Sequence, residues 1–378
     1  MVDRKLCTGC AACASACPVG AVVMERDAEG FLMPRILQDQ CIHCGKCEGV
    51  CPVTQSVSPV QSEAFLVRNR DEEVRRCSSS GGAFSALANW VLCRGGTVFG
   101  CAMSDDCYRA CHICVEKPQE LEKLRGSKYI QSEPGKTFVQ AKQALEADRW
   151  VLFSGTPCQI AGLRSYLGEK EYPKLLCVDL ICHGTASPWV WEKYLQELEA
   201  QFGSKTVAVN FRDKREGWVL YSLACRFANG QEYSSPVTRD LFLRGFVADL
   251  YLRRSCYHCT NQGEWYRSDI TLADFWGVEH AVPELADDKG ISLALVHTEK
   301  GSEALRELAA ECIVQSVPLN QALPKKSPFY GPVPKNPMRN IALVKMRKKS
   351  AYEVINKYYG TSLMAKVRRK TAKLLRSG

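Results

Sequence analysis

The pattern of apolar and polar positions divides the chain into a short cysteine-rich start and a long body in which helices and strands alternate. Short apolar runs bounded by Gly, Pro or Asn predict strands, and longer amphipathic stretches predict helices. The predicted strands are residues 64–68, 97–102, 109–115, 150–153, 175–181, 208–211, 219–227, 232–234 and 292–297. The predicted helices are residues 83–93, 137–147, 188–202 and 299–310. The body is therefore expected to be α/β (α+β).

An internal repeat of cysteines fills the first 55 residues. The run Cys7-x2-Cys10-x2-Cys13-x3-Cys17-Pro18 returns 34 residues later as Cys41-x2-Cys44-x2-Cys47-x3-Cys51-Pro52. Three closely spaced thiolates can hold three irons of one cubane, and in two-cluster ferredoxins the last cysteine of each run ligates the other cluster. The spacing predicts a bacterial ferredoxin-like domain with two [4Fe–4S] clusters. One is expected on Cys7, Cys10, Cys13 and Cys51, and the other on Cys41, Cys44, Cys47 and Cys17.

A pair of zinc ribbons is the alternative interpretation of these cysteines. Zinc sites usually take two C-x2–4-C pairs each and do not need a repeat of eight cysteines with a proline after each run. The chain has 21 cysteines in 378 residues. No apolar segment precedes Cys7, so we expect no signal peptide and a cytoplasmic protein. In that reducing compartment clustered cysteines more often bind metal than form disulfides.

The composition is that of an ordinary globular protein, with 46% apolar and 24% charged residues. No apolar run approaches the roughly 20 residues of a membrane-spanning helix. The net charge of +9 is concentrated at the end, because residues 340–378 hold eleven Lys or Arg and one acidic residue. This basic tail is expected to be a solvated helix face. Contact with an anionic membrane surface or an acidic electron carrier is the alternative, and no nucleic acid is expected.

Four later cysteines stand in distinctive settings, which are Pro157-Cys158-Gln159, Cys182-His183-Gly184 and Cys256-x2-Cys259. By spacing alone, one C-x2-C pair and two distant cysteines fit a third cluster, a zinc site or simple packing. Cys107-x3-Cys111-x2-Cys114 has the spacing associated with radical chemistry on S-adenosylmethionine. Because these residues overlap a predicted strand, which points neighbouring side chains to opposite faces, we interpret them as incidental.

Several motifs occur together in one order along the chain. After the cysteine repeat come Ser78-Ser79-Ser80-Gly81-Gly82, Arg125-Gly126-Ser127-Lys128-Tyr129, Thr156-Pro157-Cys158-Gln159, Cys182-His183-Gly184, Phe211-Arg212-Asp213-Lys214 and Asp274-Phe275-Trp276-Gly277. This series resembles the coenzyme F420 hydrogenase/dehydrogenase beta-subunit family over about residues 1–315. The resemblance implies an oxidoreductase with FAD in the body and a further [4Fe–4S] cluster on Cys158, Cys182, Cys256 and Cys259. The family also includes ferredoxin-fed reductases, so the substrate stays open.

Two helix starts are candidate flavin sites. Small residues at a helix start leave backbone N–H groups free to approach a pyrophosphate. Ser80, Gly81 and Gly82 precede one helix, Gly155 and Thr156 another, and Lys128 could add a positive charge. Two ordinary helix caps and a surface lysine are the plain alternative. His183 and His258 each lie beside an expected ligand and could relay protons or act as hydrogen-bonding neighbours.

These observations predict four segments. They are the ferredoxin-like domain at 1–55, the two parts of the F420 beta-subunit-like domain at 63–140 and 141–315, and the basic tail at 338–378. The expected function is electron transfer between a hydride carrier at FAD, coenzyme F420 or similar, and one-electron carriers through the clusters. The expected partner is an electron-carrier protein or a partner oxidoreductase. A ferredoxin-dependent reductase of an organic substrate and an electron-transfer subunit without its own substrate are the alternatives.

Overall fold

The computed structural model describes residues 2–168 and 170–360. The cysteine-rich start contains helices α1 (Ala12–Ala16) and α2 (Lys46–Gly49) and the antiparallel strands β1 (Val22–Arg26) and β2 (Leu32–Ile36). Each helix follows a residue in the left-handed region, Ala11 at φ 66° and Gly45 at φ 71°. The two residues are 34 positions apart. The sequence repeat is therefore also a repeat of backbone conformation.

Twelve further strands form the two sheets of the body. In chain order they are β3 (Glu63–Asn69), β4 (Thr97–Met103), β5 (Ala110–Val115), β6 (Ser132–Glu133), β7 (Val151–Ser154), β8 (Leu175–Leu180), β9 (Thr206–Asp213), β10 (Ser222–Phe227), β11 (Glu232–Pro236), β12 (Ile270–Asp274), β13 (Ser292–Val296) and β14 (Cys312–Val317). The large sheet has the order β14-β3-β13-β12-β8-β7-β4-β5-β6, and β11-β10-β9 form the small antiparallel sheet.

Eleven further helices surround the sheets among the described residues. They are α3 (Glu72–Cys77), α4 (Ala83–Leu92), α5 (Thr137–Glu146), α6 (Pro157–Leu167), α7 (Pro188–Phe202), α8 (Leu241–Val247), α9 (Val278–Ala281), α10 (Glu299–Glu307), α11 (Leu319–Ala322), α12 (Arg339–Met346) and α13 (Ala351–Tyr359). In the described ranges, none is sufficiently long and apolar to span a bilayer. The mixed α/β fold predicted from the sequence is confirmed.

The centre of the large sheet is parallel. Strands β4, β7, β8 and β12 run in the same direction, so their carboxyl ends meet at one edge. In open α/β sheets this edge is where ligands bind. Both faces of the sheet are covered, which explains why strands such as β8 are almost continuously apolar. Helices α4 and α10 pack on one face. Helices α5 and α6 pack on the other face, together with Cys10 and Ala12 of the ferredoxin-like domain.

The described part of the basic segment folds back onto the body. Helix α13 packs against α7 and α8. The Glu197 carboxylate of α7 accepts hydrogen bonds from Ser350 Oγ (2.8 Å) and from the Ala351 amide (2.7 Å) at the start of α13. Arg339 is fully buried. Residues 338–360 are thus part of the packed structure, and residues 361–378 lie outside the described residues.

Most predicted elements are confirmed to within one or two residues, which is the usual uncertainty of helix and strand ends. The strand predicted for residues 219–227 begins later, at Ser222. The amides of Trp218 and Val219 instead donate to the Asp288 carboxylate, at 3.1 and 2.9 Å. This contact between distant segments removes those amides from the strand ladder. Strands β1, β2, β6, β12 and β14 were not predicted.

Candidate functional site

Four of the later cysteines line one pocket beside the carboxyl edge of the large sheet. Cys158 lies in the first turn of α6, immediately after β7, and Cys182 follows β8. Cys256 and Cys259 come from the turn that follows Leu252. The two adjacent parallel strands thus deliver two of the thiols, and a loop that packs over this edge delivers the other two.

These four residues are partly buried and lie close together. Burial, with added effects of the nearby thiols of Cys259 and Cys256, raises the pKa of Cys158 to about 12. Burial also raises the pKa of Cys182 well above its usual value, with added effects of Cys256 and Cys158. Thiols in this state become ligands when bound iron stabilises their thiolate forms. The amide of Thr185, 3.5 Å from Cys256 Sγ, can donate to a thiolate. Four converging sulfurs with such a donor fit an iron–sulfur cluster.

In the described ranges, no three His, Cys, Asp or Glu side chains lie close enough together to hold a single metal ion. A cubane differs from a single ion, because irons and sulfides stand between the thiolates and set them farther apart.

The N-terminal cysteines form two neighbouring groups. Burial raises the pKa of Cys13 to about 12, and Cys10, Cys7 and Cys51 are near enough to raise it further. Cys47 of the second run has Cys17 among the groups that raise its pKa, after burial and Glu48. Cys51 therefore lies with the first run, and Cys17 lies near the second. This exchange of the last cysteines is the arrangement expected of two-cluster ferredoxins.

The first group of N-terminal cysteines lies next to the body pocket. Burial raises the pKa of Cys10 to about 12, and the nearby Cys158 is one of the groups that contribute to this rise. Cys10 packs so closely on α6 that a Cβ at Gly162 would lie 2.9 Å from its sulfur. The group of Cys7, Cys10, Cys13 and Cys51 thus lies between the body pocket and the second group. Cys44, in that second group, is exposed.

A buried arginine, which the sequence did not single out, joins these two regions. Arg253 is 4% exposed and precedes Cys256 by three residues. It donates hydrogen bonds to the Cys7 carbonyl (2.8 Å), to the Leu32 carbonyl (2.9 Å) and to Gln131 Oε1 (3.3 Å). Nothing in the spacing of the cysteines indicates this residue, because its partners lie more than a hundred positions away along the chain.

Gly155 and Thr156, two of the predicted flavin residues, lie at the body pocket. The Gly155 amide donates to the Val178 carbonyl of β8 (3.1 Å). Thr156 is the N-cap of α6 and forms a capping box with Gln159. Its hydroxyl is 3.2 Å from Cys158 Sγ, and Thr156 lines the same pocket as the cysteines. This helix start therefore belongs to the surroundings of the proposed third cluster.

The second predicted helix start lies at the end of β3. Ser80 Oγ donates to the Ile291 carbonyl (2.7 Å), and the Gly81 amide donates to Ser292 Oγ (2.9 Å). A Cβ at Gly81 would clash with the Val67 carbonyl oxygen at 2.4 Å, so the glycine is required by packing. Gly82, at φ +89°, is the N-cap of α4 and provides no side-chain cap. Gly82 is also buried, and a Cβ there would lie 2.9 Å from the Cβ of Asn69.

Lys128 is partly buried beside this helix start. Its ammonium group donates to the carbonyls of Lys123, Leu124 and Arg125 at 3.2, 3.1 and 2.7 Å. Burial lowers its pKa to about 8. The neighbouring Ser127 hydroxyl lies 3.1 Å from that of Ser79, which brings the Lys128 loop to the loop of Ser80. Lys128 thus has protein partners and also lies where a charge near a phosphate or a flavin ring was expected.

Two other motifs of the resemblance meet at the same edge. Arg212 forms a two-point ion pair with Asp274, at 2.7 and 3.2 Å, and Trp218 Nε1 donates to that carboxylate at 2.8 Å. Trp218 and Trp276 stack with ring centroids 4.6 Å apart. Lys214 donates to the Ser80 carbonyl at 3.1 Å. The motif order marked Arg212, Lys214, Asp274 and Trp276 but not Trp218, and only the structure brings them together.

Other cysteines and histidines considered in the sequence lie apart from one another. Cys107 is buried, Cys111 is partly buried and Cys114 is exposed, the last two three positions apart on β5. His183 Nε2 lies 2.8 Å from Asp249 Oδ1 at the body pocket, whereas His258 points to the surface.

Comparisons with known proteins agree with this architecture. The family of coenzyme F420 hydrogenase/dehydrogenase beta subunits is matched in both of its parts. The N-terminal part of that family matches residues 64–137, and the C-terminal part matches residues 148–321. The 4Fe-4S dicluster domain matches residues 6–54. A search of curated proteins found no match.

One solved structure similar to this chain belongs to the F420-reducing [NiFe] hydrogenase complex from Methanosarcina barkeri. The two chains are 17% identical with a TM-score of 0.48, and the alignment covers 85% of this chain and 94% of that one. The two parts of the beta-subunit family together match about two thirds of the sequence. The chain therefore belongs to the coenzyme F420 hydrogenase/dehydrogenase beta-subunit family and is an iron–sulfur oxidoreductase.

Proposed function

We propose that this protein is an iron–sulfur flavoprotein that passes electrons between a hydride carrier, coenzyme F420 or a similar compound, and one-electron carriers. The observation that carries the proposal is the convergence of Cys158, Cys182, Cys256 and Cys259 in one pocket. That pocket lies at the carboxyl edge of the sheet and next to Cys10 of the N-terminal cysteines. When bound, FAD would exchange two electrons with a hydride carrier, and the [4Fe–4S] clusters would pass them singly.

The chain's own residues divide into three ligand sets. Cys158, Cys182, Cys256 and Cys259 would hold the body cluster. Cys7, Cys10, Cys13 and Cys51 would hold the middle cluster, and Cys41, Cys44, Cys47 and Cys17 the outer one. The order follows from burial, because Cys7 and Cys10 are buried whereas Cys44 is exposed. Arg253 holds the first two sets together through the Cys7 carbonyl.

The flavin would lie along the carboxyl edge of the large sheet. Ser80, Gly81, Gly82, Lys128, Gly155 and Thr156 are the proposed binding residues. Gly82 and Thr156 begin helices α4 and α6, whose first N–H groups favour an anion. The stacked Trp218 and Trp276 and the buried Arg212 add an aromatic and cationic wall to this edge.

The exposed outer set indicates where a partner would dock. Cys44 is exposed and its neighbours in the set are partly exposed, so this end is open to an electron-carrier protein or a partner oxidoreductase. The small hydride carrier would approach the opposite end, at the flavin edge. The electron-carrier protein and the small hydride carrier would therefore bind at different surfaces.

The test is reduction of anaerobically purified protein by coenzyme F420H2 or by reduced ferredoxin, followed by the bleaching of flavin and cluster absorption. The proposal predicts bleaching by F420H2. A Cys182→Ala variant should keep flavin bleaching by F420H2 but transfer electrons more slowly to the N-terminal clusters. Bleaching by ferredoxin alone would identify a ferredoxin-dependent reductase. Protein without flavin would identify an electron-transfer protein with no substrate of its own, and either result would overturn the proposal.

A further inference from the structure

A line of four hydrogen-bonded side chains crosses the buried face of the large sheet. Asp179 on β8 lies directly opposite Thr271 on the parallel strand β12, and Thr271 Oγ1 is 2.5 Å from Asp179 Oδ1. His297 Nε2 is 2.8 Å from the same hydroxyl, and His297 Nδ1 is 2.9 Å from Ser62 Oγ. The line begins at partly exposed Ser62 and ends at Asp179, which is 2% exposed.

Each donor in this line points toward Asp179. The Thr271 hydroxyl donates to the Asp179 carboxylate, so it accepts from His297 Nε2–H. His297 Nδ1 then accepts from the Ser62 hydroxyl. Burial lowers the pKa of His297 to about 4, so its ring is neutral with one donor and one acceptor nitrogen. A neutral imidazole between two hydroxyls can pass a proton by binding one at Nδ1 and releasing one from Nε2.

Asp179 is a proton acceptor without a counter-charge of its own. Burial, with a smaller effect of Asp269, raises its pKa to about 8, although the Thr271 and Ser268 hydroxyls offset part of the rise. Asp269 is paired with Arg164 at 3.0 Å. Two other titratable groups lie close enough for the Asp179 charge to raise their pKa. They are Cys177 on the same strand and Tyr266 in the covering loop. Among the described residues, Asp179 Oδ2 has no hydrogen-bond partner.

The inner end of the line approaches the body cysteines. Cys182 follows Asp179 by three residues, just after the end of β8. The buried Tyr266 hydroxyl also has no hydrogen-bond partner in the described part of the chain. After burial, Asp179, Cys182 and Cys259 all raise the pKa of Tyr266, so its hydroxyl lies near both the carboxyl group and two of the body cysteines.

We propose that Ser62, His297, Thr271 and Asp179 form a proton relay that serves the body pocket, an inference that rests on the proposed cluster there. At pH values where Asp179 is ionised in the oxidised protein, it binds one proton from solvent when the body cluster gains one electron, and it releases that proton when the electron leaves. The net charge of the buried region therefore stays constant. An uncompensated extra negative charge in such a region would be costly.

The first test is a redox titration of the body cluster, followed by electron paramagnetic resonance between pH 6 and 10. Above the pKa of Asp179 in the oxidised protein, reduction must take up a proton, so a rise in pH makes reduction harder. The midpoint potential should fall by about 59 mV per pH unit above roughly pH 8, because a tenfold change corresponds to 59 mV for one electron. In the Asp179→Asn variant the midpoint potential should not change with pH. A flat wild-type line, or a slope kept in D179N, overturns the relay.

The second test asks whether the proton reaches Asp179 through the Thr271 hydroxyl. Thr271→Val removes the bridging hydroxyl, and Thr271→Ser keeps it as the matched control. At high pH, a pH-indicator dye should report proton uptake after rapid reduction at least tenfold slower in T271V than in T271S. The potential should have the same pH slope in both variants. Equal uptake rates in the two variants would overturn the proposed route.

Iron content and infrared spectra distinguish a failed relay from a failed cluster assignment. Protein with about twelve irons and a flat titration would overturn the relay alone. Protein with about eight irons would overturn the body cluster, and the relay with it. In the oxidised protein the carbonyl band of a protonated carboxylic acid should be present at pH 7 and missing from D179N. If the band is present in D179N at wild-type intensity, Asp179 is not the proton acceptor.

Discussion

The Nε of Arg253 donates a hydrogen bond to the main-chain oxygen of Cys7, 2.8 Å away and 246 positions earlier in the chain. Cys7 opens the first cysteine run, and Arg253 lies three residues before Cys256 of the body pocket. One buried guanidinium therefore fixes the distance between two proposed clusters. Electron transfer is steeply sensitive to such distances, so this contact connects the fold directly to the proposed function.

Replacement of Arg253 by Met should destabilise the protein. Met leaves the carbonyls of Cys7 and Leu32 buried without these donors, which costs about 2–4 kcal/mol. The loss would appear in urea unfolding of the iron-loaded protein. The control is Arg254→Met, because Arg254 is exposed and forms one surface ion pair with Glu29. Its loss should cost less than about 1 kcal/mol. Equal effects of the two variants would contradict the bridging role.

The exchange of the last cysteines can be tested by counting irons in a double variant. Cys51→Ala and Cys44→Ala should each remove one cluster. If Cys51 belongs with Cys7, Cys10 and Cys13, the double variant loses two clusters and keeps about four of twelve irons. If Cys51 belongs with Cys44, the double variant keeps about eight. The exposed Cys93 is the control, and its replacement by Ala should change nothing.

The buried ion pair of Glu29 and Arg339 should hold the C-terminal helices to the ferredoxin-like domain. Arg339 is fully buried, donates to the Leu252 carbonyl at 2.7 Å and pairs with Glu29. Burial raises the pKa of Glu29, but Arg339 and Arg254 outweigh it and hold the pKa below its usual value. The stabilisation is therefore present above the unfolded pKa and is lost as the pH falls through the folded pKa.

Glu29→Gln should lower the free energy of unfolding by about 3 kcal/mol at pH 7, because it leaves a buried charge unpaired. The matched control is Glu73→Gln, which breaks the exposed pair of Glu73 with Arg76. That change should cost less than about 1 kcal/mol. Urea unfolding at pH 7 measures both. Equal losses would show that the buried pair contributes no more than a surface one.

The sequence predicted the elements whose signal is local. Strand β8 is apolar except for Asp179, and α7 has a Ser187 cap, Pro188 in its first turn and Gly203 after its end, so both were placed correctly. Strand β12 was missed because Ile270–Asp274 is short and half polar. Its buried Thr271 is satisfied by Asp179 and His297, which are distant in the sequence. Partners of that kind cannot be predicted from local pattern.

The same limit applies to the site. The N-terminal ligand sets follow from short spacings, since loops of two residues must point their sulfurs to one centre. Arg253 and Arg339 look like ordinary basic residues in the sequence, and their burial depends on which segments pack over them. Lys128 was predicted near a phosphate. Its three bonds to main-chain carbonyls could not be foreseen, because they arise from the turn that precedes it.

Asp179 should also give the stability of the protein a distinctive pH dependence. Between pH 6.5 and 7.5 the folded carboxyl is protonated, since its pKa is about 8, whereas the unfolded carboxyl is ionised. The unfolded state then binds fewer protons, so the free energy of unfolding falls as the pH rises, by about 1.4 kcal/mol per pH unit. Asp179→Asn should remove that fall in urea unfolding. An equal pH dependence in both proteins would contradict the assigned charge state.

The most direct test of the whole account is the count of iron, sulfide and flavin in anaerobically purified protein, beside a Cys256→Ala variant. We expect about twelve irons, about twelve sulfides and one flavin per chain in the wild type. Cys256→Ala should keep the flavin and about eight irons, while Cys93→Ala keeps all. Zinc at the N-terminal cysteines, or about eight irons and no flavin in the wild type, would contradict the account.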